Sequence, residues 1–453
     1  MSVDTATPLG MLSSGVTPSL TNFGSVVLKE FYLGPIRDVL NSKTVLLRLI
    51  SRNEDSISGK YGVVPLRTSR NEGLGFVQEE GYLPDPGTQG YSKALVPMKW
   101  GYARIKFTGQ VLQASRNDRG AFAEAADTEI MGAIEDFKHE LNRMMFGNGS
   151  GRLCSISSTN TYNAATTTQT VINPGGFTNP GNGTQYLRVG MIVAIIREGT
   201  GIVYSGTITA VNASAGTVTI AGAANAVQTA AVAGDFIHRA SRTGLTLGAT
   251  TDYPHTSRGN EPMGLAGIGG DTDADTPIWF NYAGGTANTL QGISASGNPA
   301  WQAPVIGNAS AADPLDLTVM QQMIDLMDRF GDRVPGAALC SHGQRRVYLE
   351  QLVPDKQFVN TLEMDGGFRA ITYNEIPIIP DKDCTPGRMY WIDFDPLSIY
   401  RMSDFFWIDH DGSVLFRVAG GDKDSYQATL AAYMELATSD RHCIGKIQGL
   451  AEP

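Results

Sequence analysis

The chain has 453 residues, of which 42% are hydrophobic, 18% are charged and 52 are glycines, and its formal net charge is −10. A chain of this length allows two to four domains, and a low charge content with abundant glycine favours turns and β structure. The acidic balance excludes a protein that holds nucleic acid through an overall positive charge, because such binding depends on neutralising phosphates.

The cysteines and the apolar runs limit the class of protein further. Cys154, Cys340, Cys384 and Cys443 are widely spaced and form neither a CxxC pair nor a zinc-binding pattern. We expect them to be buried thiols of a protein in a reducing compartment. Residues 1–23 contain no continuous apolar core, so no signal peptide is expected. No run approaches the roughly 20 apolar residues that span a membrane.

A long two-stranded loop is predicted near the amino terminus. Residues 51–102 contain few core residues and are rich in glycine, glutamate and arginine. Two β-like runs, at residues 62–66 and 94–98, lie within this stretch, and the second continues as an alternating strand through residues 100–107. A loop of this length without a core of its own normally needs a partner.

The longest helical pattern covers residues 120–146. At about 1.5 Å per residue it would be roughly 40 Å long, whereas the mean helix has about 11–12 residues. We predict that Asp118 caps its start and that Gly147 ends it. We interpret the helix as a spine across which other elements lie; an ordinary long core helix is the alternative. The apolar positions recur at steps of three and four residues and are Phe122, Ala126, Ile130, Ala133, Ile134, Phe137, Leu141, Met144 and Met145.

Residues 153–250 differ in composition from the rest of the chain. They contain only six charged residues and are rich in alanine, threonine, glycine and valine. Short strand patterns occur at residues 191–196, 203–211 and 217–220, and residues 212–216 form a predicted turn. This pattern predicts a small all-β barrel or sandwich. Helical and mixed patterns resume after it, so we interpret it as an insertion.

An alternation of helices and strands follows. A helix is predicted to begin at Asp313-Pro314, with aspartate as its cap and proline at its first position. Its buried stripe would consist of Leu317, Met320, Ile324 and Met327. A strand at residues 337–340, a helix at 343–352 and a strand at 376–380 come next. The remaining predicted strands are residues 388–394, 397–402, 405–409, 413–418, 428–436 and 443–448, with a turn at residues 410–412.

One acidic segment has the opening spacing of a calcium loop. Asp271, Asp273 and Asp275 alternate with other residues, as the first ligands of such a loop do. However, Thr276 occupies the position of the required glycine, and Tyr282 occupies that of the bidentate glutamate. We therefore favour an acidic solvated loop.

Other combinations of reactive residues have simpler explanations. Cys340-Ser341-His342 has no visible third group that would orient a thiol–imidazole pair, and His410 lies in a predicted turn. The glycines of residues 264–270 do not match a dinucleotide-binding pattern. We predict no catalytic, cofactor-binding or metal-binding residue, and we predict that the chain is not an enzyme.

Three features occur in order along the chain: a long two-stranded loop, a long helix that ends in FGNG at residues 146–149, and a carboxy-terminal α/β unit. The loop contains Glu79-Glu80-Gly81 and returns through residues 100–110, WGYARIKFTGQ, into the strand before the helix. This arrangement resembles the major capsid proteins of tailed bacteriophages, which have the Johnson, or HK-ninety-seven-type, fold. Residues 234–237, GDFI, are similar to β modules that are inserted in such proteins.

The resemblance implies an α+β fold with an amino-terminal arm, an extended loop, a spine helix, peripheral and axial domains, and an inserted small all-β domain. The implied ranges are 1–50 for the arm, 51–108 for the extended loop, 109–152 with 251–312 and 427–453 for the peripheral domain including the spine helix at 120–146, 153–250 for the inserted β domain, and 313–426 for the axial domain.

The resemblance also implies a function. The chain would self-assemble, through hexamers and pentamers, into an icosahedral shell that encloses a double-stranded DNA phage genome. Its partners would be other copies of itself, with a separate scaffolding protein, a portal and decoration proteins as further candidates. The DNA would be enclosed without sequence-specific binding, and no membrane or cofactor would be involved. The chain would be assembled in the host cytoplasm and would reside in the virion.

Two alternatives remain open. A shell protein of a bacterial encapsulin-type compartment would share the fold, although such proteins usually lack so large an insertion. An enzyme or a carbohydrate-binding protein with a β domain should contain a polar constellation, which the sequence does not reveal.

Overall fold

The structure is a computed structural model, and the chain divides in it into two compact units. The first contains Gly101–Glu140 and Ser403–Ala432, and the second contains Val45–Trp100, Leu141–Met402 and Tyr433–Pro453. Of the predicted arm, only residues 44–50 are among those described. The described residues are 44–53, 57, 59, 61–108, 119–157, 166–178, 181–222, 232–248, 252–270, 289–295, 298–307, 312–352, 361–364, 368–409, 414, 416–417 and 424–452.

The described residues form both α-helices and β-strands. The α-helices are α1 (Val45–Leu49), α2 (Arg119–Phe146), α3 (Leu265–Ile268), α4 (Leu317–Gly331) and α5 (His342–Leu352). The strands are β1 (Ser51–Arg52), β2 (Tyr61–Ser69), β3 (Gly90–Pro97), β4 (Lys99–Thr108), β5 (Arg152–Ile156), β6 (Thr166–Ile172), β7 (Ile192–Arg197), β8 (Gly201–Asn212), β9 (Thr217–Gly222), β10 (Phe236–Arg239), β11 (Thr289–Leu290), β12 (Ile293–Ser294), β13 (Val305–Ile306), β14 (Ala337–Cys340), β15 (Thr361–Met364), β16 (Phe368–Tyr373), β17 (Ile376–Pro380), β18 (Arg388–Ile392), β19 (Leu397–Trp407), β20 (Phe416–Arg417), β21 (Ser425–Thr438) and β22 (Ile444–Gln448).

Helix α2 is the predicted spine helix, and it runs without a break through 28 residues. Ile130, Ile134, Leu141 and Met145 are buried at steps of four and seven residues, as the apolar stripe predicts. Asp136 is exposed on the opposite side. The predicted Asp118 cap and the side chains of Phe122, Glu124, Ala126 and Asp127 lie outside the described residues.

In the first unit, α2 packs on a sheet. Phe137 contacts Phe405 of β19 edge-to-face, with the ring centroids 5.6 Å apart, and its ring also lies over Gly101 of β4. Strand β21 pairs with β4 and β20 and lies next to β19. The prediction of separate strands at 397–402 and 405–409 is wrong, because β19 is one continuous strand. No glycine or proline interrupts this segment, and polar residues such as Ser403 alone do not end a strand.

The predicted turn at residues 410–412 lies outside the described residues. Of the predicted strand at 413–418, the described part that forms a strand is β20. It pairs antiparallel with β21, placing Phe416 opposite Gln427.

The second unit contains a seven-stranded sheet with the order β13-β22-β18-β14-β17-β16-β15. Strands β14 and β17 have the predicted bounds and are parallel, whereas β15 and β16 were not predicted. The sheet joins strands from ranges predicted to belong to two domains, because β22 pairs with β18 of residues 313–426 and β13 pairs with β22. At another place in this unit, β1 runs parallel to Ser398–Ile399 of β19.

Helix α4 covers one side of this sheet and begins later than predicted. Its first residue is Leu317 rather than Pro314. Asp313 instead forms a bridge to the carboxy-terminal segment, since its N–H donates to Gly449 O at 2.9 Å and its carbonyl accepts from Ala451 N at 2.8 Å. The core under α4 and α5 contains Leu315, Met320, Met323, Ile324, Met327, Ala338, Cys340, Tyr348, Ile371, Ile376, Ile378, Met389, Trp391, Ile447 and Leu450.

The predicted β insertion forms a closed six-stranded barrel with the order β10-β5-β6-β9-β8-β7. Closure pairs every strand on both sides and leaves no open sheet edge. Asp235 accepts two hydrogen bonds of 2.9 Å from the guanidinium of Arg197 at the β7–β10 side of the barrel. The interior is filled by Leu153, Cys154, Ile156, Val171, Tyr186, Leu187, Val193, Ile195, Val203, Tyr204, Ile208, Val218, Ile220 and Ile237.

The end of α2 in the second unit packs against Gly264. A Cβ atom at this position would lie 2.5–2.6 Å from the carbonyl oxygens of Met144, Met145 and Gly147. The backbone of Gly264 has φ −124°, which any residue can adopt. Glycine is therefore required here because there is no room for a side chain, and not because of its backbone conformation. The last carbonyls of the helix therefore lie directly against the loop that precedes α3.

Among the described residues, none of the helices combines the length and the apolar character that a membrane span requires.

Replacing Gly264 with alanine should lower the free energy of unfolding by about 1–3 kcal/mol, because a methyl group would overfill this contact. The matched control is Gly132→Ala within α2, where nothing lies within 4 Å of an added Cβ. The control should raise the free energy of unfolding by up to about 1 kcal/mol, since alanine is the better helix former. Denaturant unfolding followed by circular dichroism measures both, and a Gly264→Ala variant as stable as the wild type would contradict the packing.

Candidate functional site

The predicted extended loop is a hairpin in which β2 pairs antiparallel with β3, from Tyr61 opposite Pro97 to Ser69 opposite Gly90. Its base belongs to the core of the second unit. Ala94 and Val96 are completely buried and Met98 is nearly so. The cluster at the base contains Val96, Met98 and Ala437, with Ile57, Val64, Tyr400 and Met402 packed against them.

A second, shorter hairpin supports the base. Strands β11 and β12 are joined by the two-residue turn Gln291-Gly292, in which both residues have positive φ, at 53° and 80°. This is the type I′ geometry that suits tight hairpins. The carbonyl of Gln291 accepts a 2.8 Å hydrogen bond from the N–H of Leu95, and a Cβ atom added at Gly292 would lie 3.7 Å from the Leu95 side chain. The base of the long hairpin is thereby fixed by backbone and side-chain contacts.

The other end of the hairpin, residues 70–89, is here called the tip. It forms neither helix nor strand, and its outermost residues turn at 78–81, where Gly81 N donates to Gln78 O at 2.9 Å. Large apolar side chains are exposed along it: Leu74 is 85% exposed, Phe76 is fully exposed, Tyr82 is 98% exposed and Leu83 is 83% exposed.

Glycines explain why these side chains point outward. A Cβ on Gly73 would lie 2.6 Å from Gly87 N, and one on Gly75 would lie 3.1 Å from the Pro84 ring. The two arms of the tip therefore approach too closely for side chains to fit between them. The apolar side chains have no interior in which to pack and must project to the outside.

This exposure is energetically unfavourable in water. Fully burying one large apolar side chain is worth about 1.5–3 kcal/mol, so the four most exposed residues together leave roughly 6–12 kcal/mol of potential burial unused. Several large apolar side chains exposed on one segment are typical of an interaction site. The tip is thus the candidate functional site, and it is suited to contact with another molecule rather than to chemistry.

Where the hairpin continues into β4, two buried ionisable side chains, Lys99 and Glu435, connect three segments. Lys99 Nζ donates to Gly259 O at 2.7 Å. Glu435 of β21 accepts hydrogen bonds from the backbone N–H groups of Met263, at 2.5 Å, and Leu436, at 3.2 Å. Burial raises the pKa of Glu435 to about 7, although the charge of Lys99 and these N–H groups oppose the shift. Burial also lowers the pKa of Lys99, and Glu435 opposes that shift.

A buried ion pair lies at the end of the spine helix. Arg143 contacts Glu261 at 2.5 Å, and both side chains are less than a tenth exposed. The glycine-rich segment that follows the helix is tightly packed: Gly151 has φ 71°, and a Cβ there would collide with Ser257 O. Residues 146–151, part of the motif that suggested the family, thus serve to pack the helix end.

The described residues Cys340, Ser341 and His342 do not form a thiol–imidazole pair. Burial raises the pKa of the Cys340 thiol to about 12, Ser341 Oγ donates to Glu452 at 2.7 Å and accepts from Gln344 N, and His342 is exposed. The segment with Asp271, Asp273 and Asp275 lies outside the described residues, as does His410. Within the described residues, no group of three or more histidine, cysteine or acidic side chains could hold a metal ion. The four cysteines are free and buried, as predicted.

Comparisons with known proteins identify the fold. No protein-family model and no curated protein matches the chain. Among solved structures, a chain of the cyanophage A-1(L) capsid asymmetric unit aligns with a TM-score of 0.53 at 14% identity, covering 91% of this chain and 94% of its own length. This chain has a phage capsid fold. The family resemblance inferred from the sequence is therefore confirmed at the level of the fold.

Two further structures align less well. A chain of the Mycobacterium phage Patience structure covers 97% of this chain and 94% of its own, with 9% identity and a TM-score of 0.42. The SrpI encapsulin of Synechococcus elongatus covers 33% of this chain and 52% of its own, with 13% identity and a TM-score of 0.25. The assignment of the phage capsid fold rests on the cyanophage chain.

Sequence reasoning located the hairpin but missed the residues that define its tip. Leu74, Phe76, Tyr82 and Leu83 are isolated apolar residues among glycines, glutamates and prolines, which is the signal that could have identified them. The pair of Lys99 and Glu435 was also missed, because the two residues are far apart in the sequence and only the fold brings them together.

The stability of the chain should respond to pH through Glu435. Its folded pKa of about 7 lies above the ordinary glutamate value of 4.5, so its stabilising contribution is complete below about pH 4.5 and is lost as the pH rises through 7. In a Glu435→Gln variant the melting temperature should fall less steeply between pH 5 and 8 than in the wild type. The exposed control Glu79→Gln should keep the wild-type slope. Parallel slopes for Glu435→Gln and the wild type would contradict the assignment.

Proposed function

We propose that this chain is the major capsid protein of a tailed bacteriophage, which self-assembles into an icosahedral shell around a double-stranded DNA genome. The observation that carries the proposal is the tip: a chain with a phage capsid fold presents large apolar side chains on a hairpin whose base is fixed in its core. In a closed shell each such contact is repeated in every subunit, so modest individual contacts add to a stable whole.

Each part of the proposed shell subunit corresponds to one or more ranges of the chain. Residues 51–108 form the extended loop that reaches a neighbouring subunit, 1–50 the arm, and 153–250 the inserted β domain. The peripheral domain would comprise 109–152, 251–312 and 427–453, and the axial domain 313–426, with β13 and β22 shared through the seven-stranded sheet. Hexamers and pentamers of the chain would form the shell in the host cytoplasm, with a scaffolding protein, a portal and decoration proteins as partners.

The absence of a basic balance supports enclosure of DNA without tight binding. The net charge is −10, and packed DNA can move along a wall that does not neutralise its phosphates. The chain would act as a structural protein of the virion without enzymatic activity. A compartment shell of the encapsulin type is the second candidate, because such a protein also forms a closed shell. The contents of the particle, DNA or protein cargo, distinguish it from a phage capsid.

Replacing Leu74, Phe76, Tyr82 and Leu83 together with serine should abolish shell formation and leave the subunit folded. These side chains contact little within the chain, so the free energy of unfolding should change by less than about 0.5 kcal/mol per site. Sedimentation and electron microscopy measure assembly, and circular dichroism measures folding.

The matched control replaces two exposed apolar residues outside the hairpin, Val189 and Val334, with serine. It should assemble like the wild type. If the tip variant forms normal shells, the assignment of the tip as an assembly surface is wrong. Particles from the native source that contain protein cargo instead of DNA would favour the compartment.

A further inference from the structure

A small cavity lies at the end of the spine helix, in the second unit. On one side it is lined by the glycine-rich segment 147–151, which follows α2, and on another by Phe177 and Tyr186. Arg143 of α2 and Arg152, the first residue of β5, line it as well. Its volume of about 10 Å³ is room for about one water-sized group. A ligand of this cavity must therefore be a single small atom or ion.

The ion pairs around the cavity carry an excess of positive charge. Arg143 and Glu261, which both line it, pair one to one at 2.5 Å. Arg152 and Arg258, by contrast, share the single carboxylate of Glu198, at 3.1 and 2.6 Å. The two arginine side chains are 12% and 13% exposed and Glu198 is 35% exposed, so water screens the carboxylate more than the cations. Three cations and two carboxylates sum to +1 in this largely buried setting.

His238 of β10 is affected by this positive charge. Its side chain is completely buried. Burial lowers the pKa of His238 well below its ordinary value, and the charges of Arg152 and Arg258 lower it further. The ring is therefore neutral at pH 7. Because uncompensated charge is costly to bury, an anion beside these arginines would stabilise the folded chain.

The glycine-rich segment offers hydrogen-bond donors for an anion. Gly149 and Gly151 have positive φ, at 69° and 71°, whereas the intervening Ser150 does not. Alternation of this kind turns successive backbone N–H groups towards one side and forms an anion-binding nest. Ser150 lines the cavity and is 1% exposed. Its Oγ accepts a hydrogen bond from Arg152 N at 3.4 Å, and its own O–H can donate to a further acceptor.

We propose that this cavity binds one chloride ion, to which Arg152 supplies the opposite charge and the Ser150 hydroxyl and the backbone N–H groups of residues 147–151 supply hydrogen bonds. A halide fits the volume, whereas sulfate and phosphate are larger and do not. The ion would join the end of the spine helix to the first strand of the barrel, since both line the cavity. This inference goes beyond the proposed function and does not depend on assembly.

A chloride titration of thermal stability tests the site. The melting temperature of the wild type should rise with sodium chloride while sodium gluconate holds the ionic strength constant, because only the folded chain binds the ion. In Ser150→Ala the apparent Kd for chloride should rise by about tenfold, since a hydrogen bond to a charged group is lost. In Arg152→Gln the chloride dependence should disappear, while Glu198 keeps Arg258 as its partner.

The matched control is Ser425→Ala. It also removes a buried serine hydroxyl, but at a position that does not line the cavity, and it should titrate like the wild type. If Arg152→Gln does not fold, the comparison of Ser150→Ala with Ser425→Ala decides. A wild type whose melting temperature is insensitive to chloride, or a Ser150→Ala variant that titrates like the wild type, would overturn the site.

Bromide gives a direct readout, because it replaces chloride and scatters X-rays anomalously. Crystals of the chain soaked in sodium bromide should show an anomalous peak in the cavity, and crystals of Ser150→Ala should show a weaker one at the same bromide concentration. A cavity that holds only water, without an anomalous peak, would overturn the proposal. Neither measurement requires shells, so failure of the chloride site leaves the proposed function intact, and a chain that never assembles leaves the chloride site intact.

Discussion

The tip of the hairpin cannot bury its own apolar side chains, and this constraint organises the rest of the account. Gly73, Gly75 and Gly87 bring the two arms so close that no side chain fits between them. A segment of this composition would collapse onto the body or aggregate if it were free to move as a whole. It is instead held out by a base whose Ala94 and Val96 are completely buried in the second unit. The apolar surface of the tip therefore stays exposed within the chain and is available for contact with another molecule.

The parts that support this surface are rigid for identifiable reasons. The type I′ turn at Gln291-Gly292 places a carbonyl against Leu95. Lys99 and Glu435 are desolvated together directly after the hairpin, and the loop between Gly259 and Met263 accepts and donates the hydrogen bonds that satisfy them. Removing one partner of such a buried pair leaves an uncompensated charge, which is far more harmful than the pair is stabilising. The polar groups at the base thus fix one geometry rather than add much net stability.

Local patterns in the sequence predicted much of this fold. The continuous spine helix, the strands Ala337–Cys340 and Ile376–Pro380, the paired arms of the hairpin and the β barrel follow from periodicity and glycine placement. The long-range pairing of strands could not be predicted in this way, because no local sequence pattern determines that β22 lies between β13 and β18. Asp313-Pro314 has the features of a helix start, yet a bridge to Leu450 uses Asp313 instead. The tip was predicted only as part of a loop, since the exposure of Phe76 depends on how closely the two arms of the hairpin approach.

A cryo-electron microscopy reconstruction of particles formed by this chain tests the central claim most directly. The account predicts closed shells in which Phe76 and Tyr82 of each hairpin are buried against a neighbouring subunit. Shells in which the tip projects into solvent, or a chain that stays monomeric in the presence of its partner proteins, would contradict it.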